Sequence, residues 1–383
     1  TKAGSALFNG TVLQGTTTNI SIVGGNVSGE ASLGNFANTV TVTAITLNDQ
    51  TGGATVQFSG TGKTITGTID GSAAGNGTVN ISGATNTIAS KIGNTYRPAQ
   101  LTISGATTFS DAVKTTALTT TAAISNGTTL DVSSTSSIGA NITTSSTQTY
   151  TGAVTLTNNS TLAGSTITNS STITGAGFSL TETGNSVING AISGVNIFSV
   201  SGTTSVGANV STTGTQTYTG AVTIAGTAAT RTLTATSSTI TFSSTVDSTA
   251  SQANNLTFGS GSGNVTFTGA VGTGTNGALG TITDIAGQTV TFSDAVTATT
   301  IANYGTLLFN ATSAKTISPA ITDNGTTTIQ VINSADGAPG IITFSGNVAA
   351  DTITIGTTTK AGSALFNGTV LQGTTTNISI VGG

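Results

Sequence analysis

The sequence predicts an all-β protein, a right-handed parallel β-solenoid (β-helix) with turns of about 20–25 residues. Three features point there: a composition of strand and turn formers, a period-2 alternation of apolar and hydroxylated residues, and a degenerate repeat one turn long.

Composition narrows the field first. Nearly a quarter of the 383 residues are Thr. Thr, Val and Ile favour strands, because a branched β-carbon sits easily on a pleat and crowds a helix. The 52 Gly, with abundant Asn and Ser, supply turn residues, while Pro occurs only 3 times, at Pro98, Pro319 and Pro339. Lys and Arg total 8 and Asp and Glu 12, so 5% of the chain is charged, where a soluble domain averages about 25%. With 35% hydrophobic residues, this is not the composition of a solvated coil. The net charge of −4 is unclustered, giving neither a nucleic-acid footprint nor a basic membrane patch. No apolar run approaches the length of a spanning helix, so no membrane span is expected. No signal peptide is visible and the sequence opens on Thr1, which reads as an excerpt from a longer mature polypeptide.

The alternation is clearest in NTVTVTAITL from Asn38, TLTATSSTITF from Thr232 and DTITI from Asp351. One face carries Val, Ile, Leu or Ala and the other Thr or Ser, as a half-buried strand requires. Between such runs lie Asn126-Gly127, Asn189-Gly190, Asn276-Gly277 and Asn324-Gly325, expected to form corners with positive φ.

Two repeats are nested. Residues 1–25, TKAGSALFNGTVLQGTTTNISIVGG, recur unchanged as residues 359–383, a period of 358. The domain organisation expected is therefore one solenoid unit over 1–358 and the opening of an identical unit over 359–383, in a tandem array. Within the unit, ITFSSTV, VTFTGAV and VTFSDAV place Phe242, Phe267 and Phe292 at intervals of 25. Related strings carry Phe8 and Phe366 (LFNGTV), Phe109 (TFSDAV), Tyr150 and Tyr218 (TYTGAV) and Phe344 (TFSGNV). Spacings of 50, 51 and 41 between Phe8, Phe58, Phe109 and Tyr150 suggest two turns each, and the 68 from Tyr150 to Tyr218 suggests three. Recurring once per turn, these ten aromatics are expected to be structural core residues. A single turn cannot bury its own apolar face, but stacked turns make a continuous core and pair their backbones with one another.

Segments such as GNGTVNISGATNTIASKIGN from Gly75 and LTISGATTFSDAV from Leu101 make the chain resemble the repetitive β-helical passenger regions of bacterial autotransporters. They are similar to strand-repeat surface proteins and rickettsial-type outer-membrane surface antigens. The resemblance covers nearly the whole chain and implies a β-helix displayed outside a bacterial cell, in adhesion or surface coating. The C-terminal membrane barrel of that family is absent from this sequence.

Catalytic chemistry has little to work with. Without His or Cys there is no Ser-His-Asp triad, no Cys nucleophile and no ordinary zinc cage. The acids are scattered with no Asp-x-Asp. Asp111 and Asp294 hold equivalent motif positions but lie 183 residues apart, several turns, too far for a glycosidase pair. No catalytic, cofactor or metal residue is therefore assigned, and no enzyme activity is expected. Calcium is weakly supported, since the calcium β-roll nonapeptide is absent, leaving only a single corner Asp with backbone carbonyls as an option. Sequons at Asn19, Asn80, Asn141, Asn209 and Asn264 follow from composition. Thr-x-Thr strings at Thr39, Thr64, Thr281 and Thr352 invite an ice-binding reading, which the uneven turn length disfavours.

The expectation is a structural extracellular filament or surface coat of tandem units. The alternative is a bacterial surface adhesin whose binding tip lies outside this sequence, with a host or cell-surface ligand. A phage-type fibre or glycan-processing solenoid is disfavoured by the acids. The partner expected is the chain itself, in head-to-tail continuation with lateral bundling permitted by sparse charge, at the cell surface or beyond it.

Overall fold

A computed structural model describes residues 4–13, 18–273, 277–333 and 340–381; Asn276 and Pro339 lie outside them. The chain is all-β, with parallel strands stacked as a β-solenoid of about 16 turns. It divides into two compact units, Thr1–Asn185 and Ser186–Gly383.

Each coil of the first unit lays down short strands on successive faces, and every strand pairs in parallel with its counterpart one coil on. One column runs Phe36, Phe58, Ile81, Ile103, Thr120, Ile138 and Leu156. A second runs Val40, Ile65, Ile88, Phe109, Asn126 and Thr144. In the second unit a column runs Val200, Tyr218, Phe242, Phe267, Phe292, Phe309 and Val331. A neighbouring one runs Val222, Val246, Val271, Val296, Ile317, Phe344 and Phe366. The inward positions are buried and the residue between them faces out, as in Ile240–Phe242 and Val265–Phe267. Alternation along the strand and stacking across it thus build one interior.

Coil length varies. From Phe36 to Phe58 to Ile81 to Ile103 the steps are 22, 23 and 22 residues, and from Phe242 to Phe267 to Phe292 they are 25 each. From Ile103 through Thr120 and Ile138 to Leu156 they shorten to 17, 18 and 18. There the strands Ile124–Asn126, Leu130–Val132, Ser136–Ile138 and Ile142–Thr144 begin six residues apart, three to a coil.

The corners differ from the Asn-Gly expectation. Gly127, Gly277 and Gly325 do not have positive φ. A solenoid corner bends the chain without reversing it, so the primed turn of a hairpin is not needed. Asn126 instead ends a strand, buried, with its Nδ2 donating to Thr129 O and its Oδ1 accepting from Thr128 N–H. Positive φ is used elsewhere, as at Gly77 (φ 89°), where an added Cβ would come within 2.2 Å of the Leu47 side chain.

Corner asparagines also link coils. The Oδ1 of Asn141 accepts the amide of Thr161, that of Asn209 the amide of Thr232, and that of Asn264 the amide of Thr289, each at 2.9–3.1 Å and one coil ahead. Asp70 and Asp247 do the same for the amides of Thr95 and Thr273. These side chains supply acceptors to N–H groups within strands at Thr161, Thr232 and Thr289 and outside them at Thr95 and Thr273.

Candidate assembly edges

The aromatics sort into separate stacks. Tyr218, Phe242, Phe267 and Phe292 lie ring on ring at 5.2, 4.8 and 5.0 Å, with interplanar angles of 11°, 9° and 4°. Phe309 extends this stack at 5.6 Å, and Phe36 joins Phe8 to Phe58 in the first unit; neither is among the ten aromatics singled out from the sequence. Phe58, Phe109, Tyr150 and Phe344 are also fully buried.

Two readings of spacing need correction, and one motif sits in another column. Phe109 does not continue the Phe58 column, which passes through Ile81 to Ile103; it follows Ile88 in the adjacent column. Tyr150 in turn pairs with Val132, outside the column of Phe109, Asn126 and Thr144. Phe344 follows Ile317 and not Phe309, so its motif lies one column over from that of Phe292. The physical reason is the variable coil: strands of one sequence style occupy any face, so motif likeness does not imply the same column. The steps beside Tyr150 and Tyr218, 19 to Asn169 and 18 from Val200, likewise fall short of the 22–23 expected.

The buried polar groups are structural. Gln148 and Gln216, each two residues before a Tyr, are fully buried. Their Oε1 atoms accept the hydroxyls of Tyr150 and Tyr218 at 2.8 and 3.0 Å. Their Nε2 atoms donate to Ala163 O and Thr234 O, each at 2.7 Å. Nearby, Asn169 Nδ2 donates to the buried Glu182 at 2.8 Å. Burial, then the charge of Glu182, pushes the Tyr150 hydroxyl far above its ordinary value. The QTY string carried this signal, but Gln was not read as a core residue.

Asp111 and Asp294 each accept the amide of the next residue, at 2.7 and 2.6 Å. Burial raises the pKa of Asp294, but the Lys315 ammonium at 2.7 Å and the Ala295 N–H bond outweigh it and hold the carboxyl below its usual range. Asp131 is paired with Arg97, whose Nη1 donates at 3.0 Å. Burial pushes Asp284 up to about 6 despite the N–H bonds it accepts from Tyr304 and Gly305. Among the described residues no three of His, Cys, Asp and Glu gather to hold a metal ion. Among the described residues no helix is long and apolar enough to cross a membrane.

Outward hydroxyls are better registered than uneven coil length suggested. Thr41 faces Thr66, and Thr217, Thr241, Thr266 and Thr291 form a continuous row.

The distinctive feature is the duplicated segment, which forms an edge in each unit. Among the described residues, its first copy pairs on one side only: Leu7 with Asn35, Phe8 with Phe36, Val12 with Val40, Ile20 with Ile45 and Ile22 with Leu47. The second pairs on the opposite side only: Leu365 with Thr343, Phe366 with Phe344, Val370 with Val348, Ile378 with Ile353 and Ile380 with Ile355. Each copy therefore leaves an unpaired edge with exposed apolar side chains. Leu7 is 60% and Phe8 41% exposed, so Phe8 is a core aromatic covered on one side only. Leu365 is 48% and Ile380 78% exposed, and Phe366 is half-buried. Phe8, Ile20, Ile22, Leu33 and Phe36 line an open cleft of about 320 Å³ at the first edge. Comparison with known proteins finds no match, whether among family models, curated proteins or solved structures.

Proposed function

We propose that the chain is a structural element of an extracellular filament or surface coat, built from tandem 358-residue solenoid units. One observation carries this reading: the registers of the two segment copies fit together. When the copies are taken as one segment, three ladders run through it without a slip. They are Phe344–Phe8/Phe366–Phe36, Val348–Val12/Val370–Val40 and Ile353–Ile20/Ile378–Ile45. A one-residue slip would have turned every apolar side chain outward. Unit can thus follow unit with no break in strand pairing or core, which suits a scaffold whose property is length. The extracellular setting is supported by composition and by the autotransporter resemblance. A chain of two complete units tests the reading. Imaging should show one rod twice the length of a single unit, and unfolding should show no boundary at the junction. Two beads on a flexible joint would refute it.

A further inference from the structure

One inward position of the second unit holds a charge. Leu233 pairs with Phe258, both buried, and Thr257 pairs with Thr283, so Asp284 stands one coil on from Phe258. Asp284 is only 2% exposed. Its Oδ1 accepts the N–H of Tyr304 at 2.5 Å, while its buried Oδ2 has no partner. The ion pairs of the described residues are Arg97–Asp131 and Lys315–Asp294, and Asp284 belongs to neither. With its carboxyl pushed up to about 6 by burial, it is still mostly ionised at neutral pH. A buried carboxylate without a counter-charge is costly, and a group from outside that donates to Oδ2 would relieve that cost. Gln288 Oε1 and Asn303 Nδ2, beside the same corner, are also buried without partners.

An open cleft of about 280 Å³ lies at this corner, walled by Phe258, Ile285, Ala286 and Tyr304 around Asp284, with Thr257 and Thr283 completing it. Ala286 and Tyr304 are exposed, so the rim is open to solvent. The cleft joins one negative charge to apolar and aromatic walls, a combination that suits a cation carried on an apolar stem. We propose that it binds a small primary alkylammonium ion, the ammonium donating to Asp284 Oδ2 and the stem lying against Tyr304 and Ile285. The carboxylate's state selects among cations. A guanidinium fork wants both carboxylate oxygens, and Oδ1 already serves Tyr304. A quaternary ammonium has no N–H for Oδ2. A calcium ion wants several carboxylates, and among the described residues no three of His, Cys, Asp and Glu gather. A neutral apolar ligand would fill the cleft and leave Oδ2 unpaired.

The chain has 4 Tyr, which permits a direct test on the full chain by ring-labelled NMR, with Tyr304→Phe assigning the signal of interest. Tyr150 and Tyr218 are fully buried and Tyr96 lies in the first unit, so the three serve as internal controls. Titration with n-butylammonium chloride at pH 7 should shift the Tyr304 signal saturably and leave the other three in place. At the same concentrations n-butanol, which has the stem without the charge, and potassium chloride, which has the charge without the stem, should not. Asp284→Asn keeps the shape and an oxygen for the Tyr304 N–H, and should raise the dissociation constant on the order of ten-fold. Its control Tyr signals and circular dichroism verify the fold. An equal response to butanol would mean an apolar cleft only, and an equal response to potassium a simple counter-ion. Either result, binding undiminished in Asp284→Asn, or no saturable shift with n-butylammonium would overturn the inference.

Discussion

Between Ile103 and Leu156 a coil takes 17 or 18 residues, whereas between Tyr218 and Phe292 it takes 24 or 25. The wide coils hold their extra residues in the corner stretches 249–254 and 259–264, between the strands Val246–Ser248, Asn255–Phe258 and Val265–Phe267. Their interior takes stacked Phe rings. The narrow coils have tight corners, and their inward positions include Thr115, Thr120, Asn126, Thr144 and Gln148. There the inward Thr hydroxyl donates to the carbonyl two residues ahead: Thr115 to Ala117, Thr120 to Ala122 and Thr144 to Ser146. Perimeter decides the chemistry of the core: a long coil is filled by apolar volume, and a short one by side chains that tie off their own corners.

Five substitutions and one titration probe this contrast. Phe267→Ala should have the largest effect, about 3–5 kcal/mol by urea unfolding, because it empties a site between two rings. A loss below about 1 kcal/mol would mean that the ring stack fills space without supporting it. Gln148→Leu should cost about 1–3 kcal/mol in the narrow coils, since the Tyr150 hydroxyl loses its acceptor and Ala163 O the shorter of its two bonds. Asp284 should make the wide-coil unit more stable in acid. Its folded pKa of about 6 lies above the ordinary 3.8, so its contribution is complete below pH 4 and lost as the pH rises through 6. The difference between pH 4 and pH 7 should be about 2 kcal/mol, and Asp284→Asn should flatten it. Thr144→Val keeps the shape and removes the bond to Ser146 O, for about 1 kcal/mol. Thr266→Ala, on the outward row, should change stability by less than about 0.5 kcal/mol; a larger loss would show that the hydroxyl row is structural.

Much of the wide-coil region was legible from sequence, because Phe242, Phe267 and Phe292 recur at the coil length itself and large rings stand out from the alternation. The narrow region was not, because its marker residues are ambiguous. A Thr reads as an outward residue, yet Thr120 and Thr144 point inward, and the six-residue strand spacing from Ile124 to Ile142 carries no aromatic to reveal it. Asn126 looked like half of a turn and is a buried cap. The edges were visible only in part: identity of residues 1–25 and 359–383 announced a repeat, but which side of each copy is paired depends on long-range registry that no local pattern encodes.

The links between coils bear on how the chain ages. Asn141, Asn209 and Asn264 use only their side-chain oxygen to hold the next coil, and Asp70 and Asp247 do the same work with a carboxylate. Direct hydrolysis of the side-chain amide to aspartate would therefore leave each accepting oxygen, and so each link, in place. What changes is the charge: every conversion adds one negative unit at an exposed corner, where water screens it. A chain so altered would carry the same fastenings as a new one and a more acidic surface.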